Sequence, residues 1–124
     1  MENFTRLSEV RGRFAKTAVA LGTFDGVHIG HQQIIRQATA RARDTGGASV
    51  VFTFSNHPLA VIAPERCPPL LATPAYKAEL IAALGADVLL SVAFDRKLLQ
   101  LSPDDFIDLL VNNLRPAHVI VGPN

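Results

Sequence analysis

Short apolar runs alternate along the chain with stretches in which apolar residues return every three or four positions. Thr17 to Leu21 (TAVAL) is such a run and stops at Gly22, while Ala48 to Phe54 (ASVVFTF) is β-branched and aromatic and follows Gly46-Gly47. Both read as buried strands. Between them, from Gly30 to Thr45, Ile34, Ile35, Ala38 and Ala42 recur at helical spacing, and Arg36, Gln37, Arg41 and Arg43 take the other faces. The pattern then repeats. Thr73-Pro74 supplies an N-cap and a proline at the first helical position, Tyr76, Leu80, Ile81 and Leu84 form an apolar stripe, and Gly85 ends the helix. Asp87 to Val92 (DVLLSV) predicts a third strand. Ser102-Pro103, followed by Asp104 and Asp105 where the helix dipole favours acidic groups, opens another helix with Phe106, Leu109, Leu110 and Leu114 on its stripe. Pro116 stops it, and His118 to Val121 (HVIV) predicts a fourth strand.

Strands alternating with helices in this way predict an α/β fold with an open parallel sheet, covered on both faces and joined by right-handed crossovers. Ligands of such sheets sit beyond the carboxyl ends of the strands. That rule singles out Gly22 to His31, Ser55 to Pro58 and Gly122 to Asn124. The proline-rich stretch from Leu59 to Ala72 reads as a long irregular excursion, a kind of segment that is more often functional or mobile than passive.

Composition narrows the partners. With 124 residues, 48% of them hydrophobic, the chain can build one domain with a genuine core. A net charge of +1 from 12 basic and 11 acidic residues argues against a broad nucleic-acid or membrane footprint, so small molecules are the expected partners. The N-terminal residues lack the continuous apolar centre of a signal peptide, and runs such as Val88 to Val92 are far shorter than the roughly 20 residues of a membrane span. A single cysteine, Cys67, reads as a loop thiol and fits a reducing cytosol, which makes a cytoplasmic protein the expectation.

Chemistry concentrates in "GTFDGVHIGH", residues 22 to 31. Gly22 and Gly26 allow tight backbone geometry just before a helix whose first N–H groups lack intrahelical partners, and His28 and His31 can add imidazole donors from the same side. The combination suits phosphates. A zinc site would need about four ligands, and beyond His28 and His31 only Asp25 and the distant His57 and His118 are on offer. The run also lacks both the G-x-G-x-x-G register of a dinucleotide site and the Gly-Lys-Ser/Thr of a P-loop. A plain turn with surface histidines remains the bland alternative.

The same residues carry a resemblance. "GTFDGVHIGH" is similar to the G-x-F-D-x-x-H-x-G-H signature of the nucleotidyltransferase superfamily, in the form found in the N-terminal adenylyltransferase module of prokaryotic bifunctional FAD synthetases (riboflavin kinase/FMN adenylyltransferases). "VVFTFSNHPL" resembles the family's T-F-x-P-H-P stretch, with Ser55-Asn56 where Glu/Ser-Pro is more usual. "CPPLLATPAYKAELIAALGAD", "LSPDDFI" and "HVIVGPN" resemble its P-x-x-L-x-T-x-x-x-K-x-x-L-x-x-x-G-x-D, L-S-x-x-x-F and V-V-G-x-N/D elements in the same order. The resemblance implies a Rossmann-like sheet of the nucleotidyltransferase type, incomplete at its C-terminus, occupying residues 1–124, with no riboflavin kinase domain and no serine-rich I-S-S-T-x-I-R element to close over the phosphates.

It further implies the reaction ATP + FMN → FAD + pyrophosphate, with Mg2+ accompanying ATP and no protein nucleophile. His28 and His31 would be catalytic, and Gly22, Thr23, Phe24, Asp25, Gly26 and Asn124 would join them in holding the nucleotide. Phe54, Asn56, His57 and Pro58 would lie on the flavin side. Phe54 reads equally well as core, because alternate strand residues are buried anyway. A full-length parent would also be a riboflavin kinase, and these residues alone would bind ATP weakly and turn over little. Another transferase of the superfamily, or a non-catalytic nucleotide- or flavin-binding module, are the alternatives.

Overall fold

Where the sequence sets an apolar run between glycines, the chain is extended, and where it sets a cap before a stripe, the chain is helical. In a computed structural model describing residues 1–69 and 73–122, the strands are β1 (Glu2–Phe4), β2 (Thr17–Leu21), β3 (Ala48–Phe54), β4 (Val88–Val92) and β5 (Pro116–Val121). The helices are α1 (Leu7–Val10), α2 (Ile29–Thr45), α3 (Leu59–Ile62), α4 (Pro74–Ala83), α5 (Arg96–Leu99) and α6 (Pro103–Leu114), with a 3-10 turn over Pro64–Arg66. The expected caps form: Thr73 Oγ1 accepts the N–H of Tyr76 at 3.2 Å, Ser102 Oγ accepts that of Asp105 at 3.1 Å, and Gly46 closes α2 at φ 70°.

The strands form one parallel sheet in the order β1-β4-β3-β2-β5. Alternation along the central strands divides their side chains between two apolar clusters. Ala20, Val51 and Leu89 meet Ile34, Ile35 and Ala38 of α2 and Ile81 of α4 on one face; Val19, Val50, Phe52, Val88 and Leu90 meet Val10 of α1 and Leu110 and Leu114 of α6 on the other. The α/β fold is therefore Rossmann-like, as expected. The chain runs from β2 toward β3 and β4, then returns past β2 to lay down β5, and in such sheets the carboxyl ends beside the reversal of strand order form the ligand edge.

Several expectations need correcting. The sequence pattern gave no sign of β1, because three residues with only Phe4 buried carry no periodicity, and pairing with β4 is what recruits them. Strand β5 begins at Pro116, two residues ahead of the expected His118. Proline lacks an N–H but is tolerated at the first residue of an edge strand, and Arg115, at φ 49°, makes the turn between helix and strand. Part of the expected irregular excursion is ordered as α3 and the 3-10 turn. Tyr76, expected on the apolar stripe of α4, is 54% exposed, while Leu80, Ile81 and Leu84 of that stripe pack on the core as expected.

Candidate functional site

Beyond Leu21 the chain must turn sharply from the sheet into α2. Gly26 adopts φ 78°, and Phe24 and Val27 are also left-handed, at φ 50° and 46°. Backbone of this kind in bulky residues costs on the order of 1–3 kcal/mol each and persists only where its surroundings over-determine it. Burial of both side chains, Phe24 at 1% and Val27 at 3% exposure, supplies part of that constraint. Gly22 supplies room: a Cβ there would stand 3.1 Å from Cζ of the Phe24 ring. Phe24, expected among the nucleotide-holding residues, thus lies in the core beneath the loop.

His28 is the N-cap of α2, and its backbone N–H donates to Nδ1 of His31 at 3.2 Å. The two rings are 5.4 Å apart between centroids, and the Phe24 ring meets His31 edge-on at 5.3 Å. An Nδ1 that accepts a hydrogen bond leaves the ring proton on Nε2, so the network assigns His31 a donor at its far end. Burial, followed by repulsion from His28 and Lys77, holds the His31 pKa below the usual histidine value of 6.5, against the opposing pull of Asp25. His31 is accordingly neutral near pH 7.

At the end of β3 the chain makes a second turn. Asn56 exchanges two hydrogen bonds with the backbone of Phe94, receiving its N–H at 2.7 Å and donating to its carbonyl at 3.0 Å. His57 Nδ1 accepts the N–H of Leu59 at 3.0 Å, which again places the ring proton on Nε2. Phe54 is half-buried and packs edge-on against Phe52 and Phe94 at 5.9 and 5.2 Å. Pro58 is the N-cap of α3.

An open cleft lies between these turns, and its walls include Thr23 and Asp25 from the first, Phe54, Asn56 and His57 from the second, and Lys77 from α4. Some members of each expected group thus meet at one cleft, Thr23 and Asp25 from the nucleotide side and Phe54, Asn56 and His57 from the flavin side. His28, His31, Gly22, Gly26 and Pro58 do not line it; the two histidines stand one turn along, at the amino end of α2. Asn124 lies outside the described residues.

Lys77 matches the lysine of the quoted T-x-x-x-K stretch, but the sequence reading gave it no role at the site. Its ammonium donates to the Thr23 carbonyl at 2.6 Å and to Thr53 Oγ1 at 3.0 Å, and Thr53 Oγ1 itself donates to the Thr23 carbonyl at 2.7 Å. Burial lowers the Lys77 pKa from its ordinary value, and Asp25 opposes that shift. A signal was present, since Lys77 precedes the fully buried Ile81 by one helical turn and so sits on the core-facing side of α4.

The comparisons with known proteins point in one direction. The family model described as FAD synthetase matches residues 11–124. A bifunctional riboflavin kinase/FMN adenylyltransferase of Bacillus subtilis (strain 168) is 40% identical over 109 residues, which covers 87% of this chain and 34% of the relative. The protein of the same name from Escherichia coli (strain K12) is 34% identical over 105 residues, covering 84% of this chain and 34% of the relative. This chain therefore spans about a third of the length of these relatives. A crystal structure of a macrolide-efflux protein from Streptococcus pneumoniae has a TM-score of 0.81 and covers 97% of this chain and 41% of its own; at 22% identity it speaks for the fold alone.

Proposed function

The chain belongs to the FAD synthetase family, and on that premise we propose that it transfers the adenylyl group of ATP to FMN, giving FAD and pyrophosphate. An oxygen of the FMN phosphate attacks the α-phosphorus in line, the new phosphoanhydride bond forms, and the bond to the β-phosphate oxygen breaks. Such a reaction asks for placement of two anions and for donors aimed at the charge that develops on the departing pyrophosphate. In this reading His28, Nε2–H of His31 and the first-turn N–H groups of α2 meet the triphosphate, while Phe54 and His57 face the flavin and its phosphate. Asn56 serves the flavin side indirectly, by fixing the turn that carries His57.

The single observation that carries the proposal is the shared cleft, which Thr23 and Asp25 line from one turn and Phe54, Asn56 and His57 from the other. Two substrates that must react with each other need such a common space. Among the described residues no group of three or more His, Cys, Asp or Glu side chains could hold a metal ion, and Asp25 is the sole carboxylate in the cleft wall. These residues do not build a magnesium cage, and no step is assigned to one; Mg2+ enters with ATP, held by phosphate oxygens and water.

We assign adenylyl transfer to these residues, and not the riboflavin kinase activity that the longer relatives also bear in their names. No helix among the described residues is long and apolar enough to cross a membrane, and a cytoplasmic site of action suits the substrates. The test is incubation of the protein with FMN and Mg-ATP, with chromatographic detection of FAD and pyrophosphate. Formation of neither from the intact protein overturns the proposal.

A further inference from the structure

The loop that leads to the histidines is held from below by a charged group. The Thr23 carbonyl receives two donors, Lys77 Nζ and Thr53 Oγ1, which also bond to each other, so α4, the end of β3 and the loop after β2 meet in a closed triangle. That carbonyl belongs to the peptide joining Thr23 to Phe24, and its orientation fixes the entry into Phe24, the bulky residue at φ 50°. The Phe24 ring in turn lies edge-on to His31. A mechanical path therefore runs from Lys77 through one peptide and one ring to the imidazole.

We propose that Lys77 is a positioning residue for adenylyl transfer: by holding the Thr23 carbonyl against the Thr53 hydroxyl it fixes the Thr23-Phe24 peptide, and through Phe24 the imidazole of His31, relative to the flavin side of the cleft. This rests on the transfer reading above. An ammonium is the fitting group because it serves two acceptors at once on a flexible stem, and burial makes the charge dependent on those partners. The titratable groups facing it are Asp25 on the loop and the imidazole of His31 on α2.

The test compares the wild-type protein with Lys77→Met. One readout is FAD formation, with kcat and the KM values for FMN and Mg-ATP determined separately. The other, independent of turnover, is the imidazole 15N spectrum of His31, which in the wild type reports a proton on Nε2. Lys77→Met is expected to lower kcat at least 30-fold, to change both KM values less than 3-fold, and to move the His31 nitrogens toward values averaged over both tautomers. Thr53→Val added to Lys77→Met is expected to lower kcat less than 3-fold further, since both act through one carbonyl. An unchanged kcat, or an unchanged His31 spectrum, in a folded Lys77→Met protein overturns the proposal. If that variant does not fold, Thr53→Val alone, which removes the two sides of the triangle made by the hydroxyl and keeps the charge and its bond to the Thr23 carbonyl, is judged by the same two readouts. Absence of FAD from the wild type would sink the transfer reading instead, and is told apart because a failure of Lys77 alters the variants only.

Discussion

His31 caps the helix it belongs to by accepting the backbone N–H of His28 at 3.2 Å. One nitrogen of the ring is thus structural and the other is the one proposed to meet the triphosphate, which makes the two roles separable by substitution. Asparagine can reproduce the Nδ1 acceptor but has nothing at the position of Nε2. His31→Asn should therefore fold with stability close to wild type and form FAD about 100-fold more slowly, the usual cost of one lost donor to developing charge. His31→Ala should lose the same turnover and about 1 kcal/mol of stability besides, the ordinary cost of a lost N-terminal cap. Thermal melts alongside kcat measurements decide, and equal activity in the two variants and the wild type would remove His31 from the mechanism.

The same bond sets a pH dependence. Because burial lowers the folded-state pKa of His31 below 6.5, the unfolded chain binds its proton first as pH falls. Stability conferred by the neutral ring is fully present above 6.5 and is lost as pH drops from there through the folded pKa. Protonation also removes the acceptor for the His28 N–H. Denaturant titrations from pH 8 to pH 5 should show wild-type stability declining below about 6.5 with a component absent from His31→Asn. An identical decline in both proteins would assign it to other groups.

Asn56 stands where the related motif more usually has proline, and its two bonds to Phe94 show what it offers in exchange. Proline stiffens the turn from within, whereas asparagine ties it to the neighbouring loop. Asn56→Ala strands the N–H and carbonyl of Phe94 and should cost about 1–3 kcal/mol. By loosening the turn that carries His57, it should also raise the KM for FMN several-fold and leave that for ATP unchanged. Steady-state kinetics with each substrate varied in turn is the check, and a rise for ATP alone would contradict the placement.

How much of this was legible in the sequence follows from the range of each interaction. Caps and stripes are local, so Thr73, Ser102, Ile34, Ile35 and Ala38 could be read directly, and with them the alternation that makes an α/β sheet. The strand Glu2–Phe4 exists only because β4 accepts it, a pairing across more than eighty residues that three positions cannot encode. Lys77 was hidden for a related reason. A lysine on a helix reads as solvated, and only the fold reveals that Thr23 and Thr53, from two other segments, converge on its ammonium. In the same way "GTFDGVHIGH" raised the expectation of a phosphate cradle but gave no sign that Phe24 within it is a core residue.

That last point yields a prediction about Gly22. It is not left-handed and is not in the wall of the cleft described above, yet a Cβ at this position would stand 3.1 Å from Cζ and 3.3 Å from Cε1 of Phe24, closer than ordinary contact. The ring must then give way by a few tenths of an ångström, and the same ring is in edge contact with His31. Overpacking of a core typically costs about 1–3 kcal/mol, but here the displacement is passed on to a group proposed to act in transfer. Gly22→Ala should therefore lower kcat for FAD formation by more than its stability loss would suggest, about 10-fold or more, because small misplacements of a positioned donor are costly. Phe24→Leu in the same background removes the ring atoms that clash and should restore part of that kcat while lowering stability further. If Gly22→Ala instead melts earlier with kcat intact, the Phe24 ring does not transmit its position to His31.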